Sequence, residues 1–178
     1  SHLQDTAQPF LTKLMRYKVL WVEDNAEQDL FQFLAPVNVD GRFEMDIAVN
    51  ATEACSRLNT ERYDVVIMDS RIPPGHDTFW KEREINIQKQ SANPIVRLGL
   101  EILKVVLRKD SKPSILLDNL HPEKYCIFSI DPKSELVAGD ENRDLDTFLY
   151  EQKTAAMPRN VLVNLISQSL QRRGKLHN

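Results

Sequence analysis

Five polar residues follow short apolar runs of the kind that form buried strands: Glu23, Asp24, Asp69, Ser129 and Lys153. Carboxyl ends of parallel strands meet at one edge of an open sheet, so these side chains are expected to converge there. Three carboxylates at one edge repel each other and need a cation, and hard oxygen ligands are what Mg²⁺ selects. A lysine and a hydroxyl suit a phosphoryl oxygen. The residues therefore predict a phosphoryl-accepting site with Asp69 as nucleophile.

Strands and helices alternate in the apolar pattern, which predicts the scaffold that positions these residues. The second predicted strand alternates apolar and polar residues, as an edge strand does. The five predicted strands cover residues 18–23, 43–49, 64–68, 125–130 and 147–151. Their alternation with helices implies parallel strands and right-handed crossovers. The predicted fold is therefore an open five-stranded parallel α/β sheet with helices on both faces.

The first two helices are predicted from residues that favour helix ends. Asp24 and Asn25 suit the cap of a helix that ends before Pro36. Asn50 is predicted to cap a second helix, whose apolar residues repeat at helical spacing.

The second half of the sequence contains clear helices and two ambiguous stretches. An amphipathic helix is predicted over about 94–109, with Pro94 in its first turn, and another over about 159–172. Residues 76–92 are polar and predict an extended loop or a frayed helix. Residues 113–122 fit either a short strand or a buried turn.

Several stretches resemble the receiver domain of two-component response regulators, which has a flavodoxin-like fold. The matching segments are VLWVEDN at 19–25, ATEACSRL at 51–58, YDVVIMDSRIPPG at 63–75, IFSI at 127–130 and FLYEQK at 148–153. The match is nearly continuous over about 18–75 and is limited to short islands beyond that. The resemblance implies phosphotransfer signalling without a separate catalytic domain.

The resemblance also implies which residues bind metal and accept phosphate. Glu23 and Asp24 resemble the acidic metal-binding pair of the family, and Asp69 resembles its phosphoacceptor. The backbone carbonyl of Arg71 would complete the protein ligands of Mg²⁺ or Mn²⁺. A histidine kinase or a phosphotransfer protein would supply the phosphoryl group.

Three further residues resemble the family's switch. Ser129 resembles the switch serine or threonine, Lys153 the lysine that contacts the phosphoryl group, and Tyr150 the aromatic that changes rotamer. A core aromatic in a strand is an equally good interpretation of Tyr150. The negative charge that a phosphoryl group adds to Asp69 would shift a partner-binding surface. An effector domain, a partner protein or a second copy in a homodimer would bind there.

The sequence departs from the family pattern in two places. Residues 70–128, 59 residues in all, separate Asp69 from Ser129, which is more than a plain receiver needs. An insertion within 76–122 is therefore predicted. In addition, Thr154 follows Lys153 where the family has proline, so the direction of the lysine side chain is left open.

Each site residue also has a purely structural interpretation. Glu23 and Asp24 suit a strand end and a helix cap, and Asp69 suits a turn. A serine at a strand end, such as Ser129, is commonly structural, and Lys153 fits a surface lysine with a packed aliphatic stem. Taken together, their chain positions favour the phosphoryl-accepting site.

Two other functions compete with a phosphorylated receiver. One is a receiver-like interaction module that signals without phosphate, for which the predicted insertion would supply a surface. The other is a different Mg²⁺-dependent enzyme with an aspartyl nucleophile. Such enzymes carry an acid two residues after the nucleophile, where this sequence has Arg71.

Composition limits the partners. The 178 residues carry a net charge of −3, which predicts no direct nucleic-acid binding, and no apolar run approaches a membrane span of about 20 residues. Cys55 and Cys126 are predicted to be buried thiols of a cytoplasmic protein. The predicted organisation is an N-terminal extension or tag remnant (1–16), a receiver domain (17–174) and a tail (175–178).

Overall fold

One parallel sheet organises the chain, and the computed structural model describes residues 16–28 and 30–176. The strands are β1 (Tyr17–Val22), β2 (Phe43–Ala48), β3 (Val65–Met68), β4 (Tyr125–Ser129) and β5 (Leu149–Gln152). All neighbouring strands are parallel, in the order β2-β1-β3-β4-β5. The predicted open five-stranded α/β sheet is therefore confirmed. The predicted N-terminal extension lies almost wholly outside the described residues.

The described residues form six α-helices, of which the last follows β5 and the other five lie between strands. They are α1 (Leu34–Asp40), α2 (Ala51–Thr60), α3 (Thr78–Gln88), α4 (Leu98–Arg108), α5 (Lys133–Leu136) and α6 (Val161–Arg172). Short 3-10 segments cover Phe31–Phe33, Leu117–Asn119, Pro122–Lys124 and Asp140–Thr147. Residues 113–122, left open by the sequence, therefore contain a 3-10 turn rather than a strand.

The sheet is buried on both faces because its strands alternate between two hydrophobic clusters. Leu20 and Val66 belong to the cluster formed with α2 and α4. Trp21 and Ile67 belong to the opposite cluster, formed with α1 and α6. Side chains at successive strand positions point to opposite faces, and helices on both sides are what a parallel sheet requires. The helices predicted on both faces are thus present.

The first helix differs from its prediction. Asp24 and Asn25 lie in a series of turns, and the α-helix begins only at Leu34. Pro36 lies inside the first turn of α1, where its missing N–H group would have no intrahelical partner. The helix ends at Gly41, whose φ of 77° is the left-handed conformation that glycine adopts at no cost. Asn50 does cap α2, because its side chain accepts a hydrogen bond from the N–H of Glu53.

Two helices, α3 and α4, lie between β3 and β4. Asp77 caps α3, accepting a hydrogen bond of 2.9 Å from the N–H of Phe79. Trp80 is the only fully buried residue of α3, which explains why 76–92 lacks an amphipathic pattern. Pro94 precedes α4 instead of lying in its first turn. Whether one of these helices is an insertion into the receiver pattern stays a prediction.

Candidate functional site

The candidate site lies where β1 and β3 end side by side. The chain moves outward from β1 to β2 and then returns to the other side of β1, so the connections leave β1 and β3 in opposite directions. Where the connections of two adjacent strands run in opposite directions, a crevice opens at the carboxyl ends of those strands. Backbone hydrogen bonds extend the ladder to Glu23, whose N–H donates to Ala48 O at 2.9 Å, and to Asp69, whose N–H donates to Val22 O at 3.0 Å.

Three carboxylates meet in this crevice. One oxygen each of Glu23, Asp24 and Asp69 lies within 4.8 Å of the others. Glu23 is 0% exposed and Asp69 is 6% exposed, whereas Asp24 faces solvent. The sequence predicted these three residues to converge, and the structure brings them together. Three oxygen donors open to water on one side form a donor set suited to Mg²⁺ or Mn²⁺.

Lys153 reaches this cluster from the end of β5. Its backbone N–H donates to Ser129 O at 2.8 Å, which continues the pairing of β5 with β4. Its ammonium contacts Glu23 and lies 3.1 Å from Asp69 Oδ2, with the side chain only 8% exposed. The ammonium also lies 5.4 Å from the ring centre of Phe128. Lys153 therefore points into the site although Thr154 follows it.

The carboxylates carry more negative charge than Lys153 can balance. Burial and the neighbouring charge of Asp69 raise the pKa of Glu23 to about 8, although Lys153 opposes the shift. Burial also raises the pKa of Asp69, again against the effect of Lys153. A buried acid with a raised pKa either holds a proton or needs a further cation. The electrostatics of the cluster thus favour binding of a divalent ion.

Ser129 is buried at the end of β4 and faces the loop after β3. Its Oγ lies 2.6 Å from Ser70 Oγ and accepts a hydrogen bond of 3.0 Å from the N–H of Asp131. Ser129 is thus next to the residue that follows Asp69, but its hydroxyl is engaged by these neighbours.

Arg71 and Tyr150 both contact Asp131, a residue for which the sequence suggested no role. The guanidinium of Arg71 forms two hydrogen bonds to the Asp131 carboxylate, at 2.5 and 3.0 Å. The Tyr150 hydroxyl donates to the Asp131 backbone carbonyl, and its ring is half-buried against the α2–α4 cluster. The predicted metal contact of the Arg71 carbonyl stays a prediction. Arg71 lies three residues beyond the end of β3 and Asp131 two residues beyond the end of the adjacent β4. Their opposite charges at neighbouring strand ends were the signal for this pair.

Helix α4 packs directly on the backbone of Asp69. The N–H of Gly99 donates to Ser70 O at 3.0 Å, and a Cβ on Gly99 would lie 1.8 Å from the Asp69 carbonyl oxygen. Glycine is thus required at this position by close backbone approach. The first turn of α4 and the backbone of the candidate nucleophile are therefore in direct contact.

Gly99→Ala is expected to destabilise the protein, although the same change in an open helix stabilises by about 1 kcal/mol. The added methyl forces α4 away from the Asp69 loop, at an expected loss of about 2–3 kcal/mol in the free energy of unfolding. Urea denaturation measures this loss. Arg108→Ala in the last turn of α4 is the control and should stay within about 0.5 kcal/mol of wild type. A Gly99→Ala protein as stable as wild type would contradict the close packing.

Comparison with solved structures places this fold among receiver domains. A CheY-like receiver domain protein from Methanospirillum hungatei is 17% identical, with a TM-score of 0.55 over 90% of this chain and 98% of that one. A Francisella response regulator receiver domain is 18% identical, with a TM-score of 0.55 over 89% and 99% of the two chains. A Burkholderia pseudomallei response regulator, solved with a phosphorylated aspartic acid and a calcium ion, is 14% identical, with a TM-score of 0.51 over 89% and 72%. The chain has the receiver-domain fold.

Sequence comparison adds no relative to this structural likeness. No protein-family model matches the chain, and no curated protein matches it. Among the described residues, no helix is both long enough and apolar enough to cross a membrane.

Proposed function

We propose that this chain is a signalling receiver that accepts a phosphoryl group on Asp69 in a Mg²⁺-dependent reaction. The observation that carries the proposal is the position of Lys153, whose ammonium lies 3.1 Å from Asp69 Oδ2 within the acidic cluster. A nucleophilic carboxylate, a fixed cation and a divalent-ion donor set are the components that phosphoryl transfer needs. The Burkholderia pseudomallei response regulator, solved with a phosphorylated aspartic acid and a calcium ion, supports the proposal.

In the proposed step, a carboxylate oxygen of Asp69 attacks the phosphorus of the donor. A bond forms between that oxygen and phosphorus, while the bond from phosphorus to the donor breaks and leaves its electron pair on the donor. Lys153 balances the charge on one phosphoryl oxygen, and Glu23 and Asp24 hold the metal with Asp69. Mg²⁺, when bound, neutralises the charge that spreads over the transferring group.

A histidine kinase or a phosphotransfer protein is the proposed donor, in the cytoplasm. The phosphoryl group then contacts Lys153 and Ser129, and Tyr150 changes rotamer in response, which alters a partner-binding surface. The partner is an effector domain, another protein or a second copy of the chain. The buried position of Ser129 beside Ser70 supports its role, because a hydroxyl next to the nucleophile loop needs only a short movement.

A small phosphodonor tests the proposal directly. The chain is incubated with phosphoramidate or acetyl phosphate and Mg²⁺, and intact mass is recorded with and without a chelator. One added phosphoryl group that disappears with the chelator is the expected result. An unchanged mass in the presence of Mg²⁺ would overturn the proposed function.

A receiver-like interaction module that works without phosphate is the second candidate. It is favoured by α3, in which Phe79 is 41% and Ile85 is 47% exposed, because such apolar side chains on one helix suit a protein partner. Such a module would bind its partner equally well with Asp69 replaced. Partner binding that survives Asp69→Asn would therefore favour this second candidate.

The stability of the metal-free protein is expected to fall as pH rises from 4.5 to about 8. Glu23 has an ordinary pKa of 4.5 when unfolded and about 8 when folded, so between these values the folded state keeps a proton that the unfolded state releases. Each rise in pH over this range therefore favours the unfolded state, and the dependence ends above about 8, where Glu23 is ionised in both states. Mg²⁺ competes with the same proton, so its affinity should rise over the same range. Chemical denaturation and calorimetric Mg²⁺ titration measure the two effects.

Glu23→Gln should remove most of this pH dependence and weaken Mg²⁺ binding by about tenfold or more. Glu44→Gln is the matched control, since Glu44 is an exposed acid on β2 outside the cluster. Mg²⁺ binding that is equally tight and equally pH-dependent in Glu23→Gln would contradict a role for Glu23.

A further inference from the structure

The carboxylate of Asp131 is a buried junction between the loop after β3 and helix α4. Asp131 is 3% exposed, and its Oδ2 accepts hydrogen bonds of 3.0 Å from Ser70 Oγ, Arg71 Nε and Arg97 Nε. Burial acts to raise the pKa of Asp131, but the bonds from Arg71, Arg97 and Ser70 outweigh it and hold the pKa at about 2. The carboxylate is thus charged and bound by two arginines.

The backbone of Asp131 is engaged by both predicted switch residues. Its N–H donates to Ser129 Oγ at 3.0 Å, and its carbonyl accepts from the Tyr150 hydroxyl. Ser129 and the Asp131 carboxylate also share Ser70 as a partner. Any movement of Ser129 toward Asp69 would therefore disturb the hydrogen bonds that hold Asp131.

Helix α4 is tied to the same junction at its first turn. Arg97 directly precedes the helix, and its guanidinium binds Asp131 on one side and the exposed Glu135 at 3.4 Å on the other. Gly99 N–H donates to the carbonyl of Ser70, the residue after Asp69. The helix itself packs in the core through an extensive buried face. A change at Asp131 therefore reaches a whole element of the fold.

We propose that Asp131 is a positioning residue that couples the phosphorylation state of Asp69 to the first turn of α4. The inference rests on the proposed function of Asp69. A phosphoryl group adds about −1.5 to −2 charges beside Arg71 and attracts the Ser129 hydroxyl, so it competes with Asp131 for two of its partners. Without its contacts to Arg71 and Ser129, Asp131 is no longer held in place. Arg97 then loses its fixed anion, and the first turn of α4 loosens.

Amide hydrogen exchange of Gly99, Leu100 and Glu101 tests the coupling. It is measured before and after treatment with phosphoramidate and Mg²⁺, and intact mass of the same samples records the adduct. In the wild type, these amides should exchange about tenfold faster once phosphate is bound. In Asp131→Asn, they should exchange faster from the start, and phosphorylation should change them by less than about twofold.

Two further variants separate coupling from general destabilisation. Arg97→Gln leaves Asp131 bound to Arg71 and Ser70, and it should also lose the response of α4 to phosphate. Glu135→Gln removes only the exposed partner of the same arginine, and it should respond as the wild type does. A merely structural role of Asp131 would change basal exchange but leave the phosphate-dependent increase intact.

The outcomes distinguish this inference from the proposed function. Phosphorylated wild type without faster α4 exchange overturns the coupling and leaves the proposed function standing. Folded Arg97→Gln with a wild-type response also overturns the coupling, even if Asp131→Asn fails to fold. Absence of any adduct in the wild type overturns the proposed function and the coupling with it.

Discussion

Asp69→Asn should accept no phosphoryl group from a small phosphodonor under conditions in which the wild type is fully modified. The amide lacks the nucleophilic carboxylate oxygen that lies 3.1 Å from Lys153 Nζ. Intact mass after incubation with Mg²⁺ and phosphoramidate measures the result. The fold should survive, because the substitution removes a charge that burial disfavours.

Asp64→Asn is the matched control for this prediction. Asp64 lies just before the opposite end of β3, where it accepts a hydrogen bond of 2.8 Å from the N–H of Lys18. Its variant should acquire phosphate as the wild type does. Phosphorylation of Asp69→Asn to the wild-type level would place the acceptor elsewhere and remove the basis of the proposed site.

Lys153→Met should lower both stability and phosphoryl transfer. The methionine fills a similar volume but leaves Glu23 and Asp69 without their common cation in a buried site. Breaking such a pair costs about 3 kcal/mol in the free energy of unfolding. Loss of the charge that stabilises the transferring group should slow modification about 100-fold or more.

Mg²⁺ should restore part of the stability lost in Lys153→Met, because a bound divalent ion supplies the missing positive charge. Urea denaturation with and without Mg²⁺ measures this recovery, and the time course of intact mass measures the rate. Lys133→Met is the control, since Lys133 forms an exposed ion pair with Asp146. If Lys153→Met modified at the wild-type rate, the lysine would have no part in the chemistry.

The strands and the acidic cluster followed from local sequence. Runs of apolar residues that end in an acid at 18–23 and 64–69 predicted both the buried strands and the edge at which the acids meet. Parallel strands leave few arrangements for short α/β connections, so Glu23, Asp24 and Asp69 had to lie close together. The parallel sheet predicted from these runs is the one that the structure shows.

Local pattern was a weaker guide where packing decides the structure. α3 forms although only Trp80 is buried, and α1 begins late and contains Pro36. In α3 the residues lack a clear amphipathic period, and the surrounding fold provides the contacts that stabilise the helix. In α1, the sequence predicted a helix that ends before Pro36, although proline is tolerated in a first turn.

The sequence by itself determined which residues reach the carboxyl edge of the sheet, because local apolar patterns mark where each strand ends and parallel strands end at the same edge. The tertiary structure alone decided the direction of Lys153, the contact of Gly99 with Asp69 and the arginine pairs of Asp131. These depend on atoms that are tens of residues apart in the chain and meet within about 3 Å. Side-chain direction at that distance is set by packing, which no spacing of residues encodes.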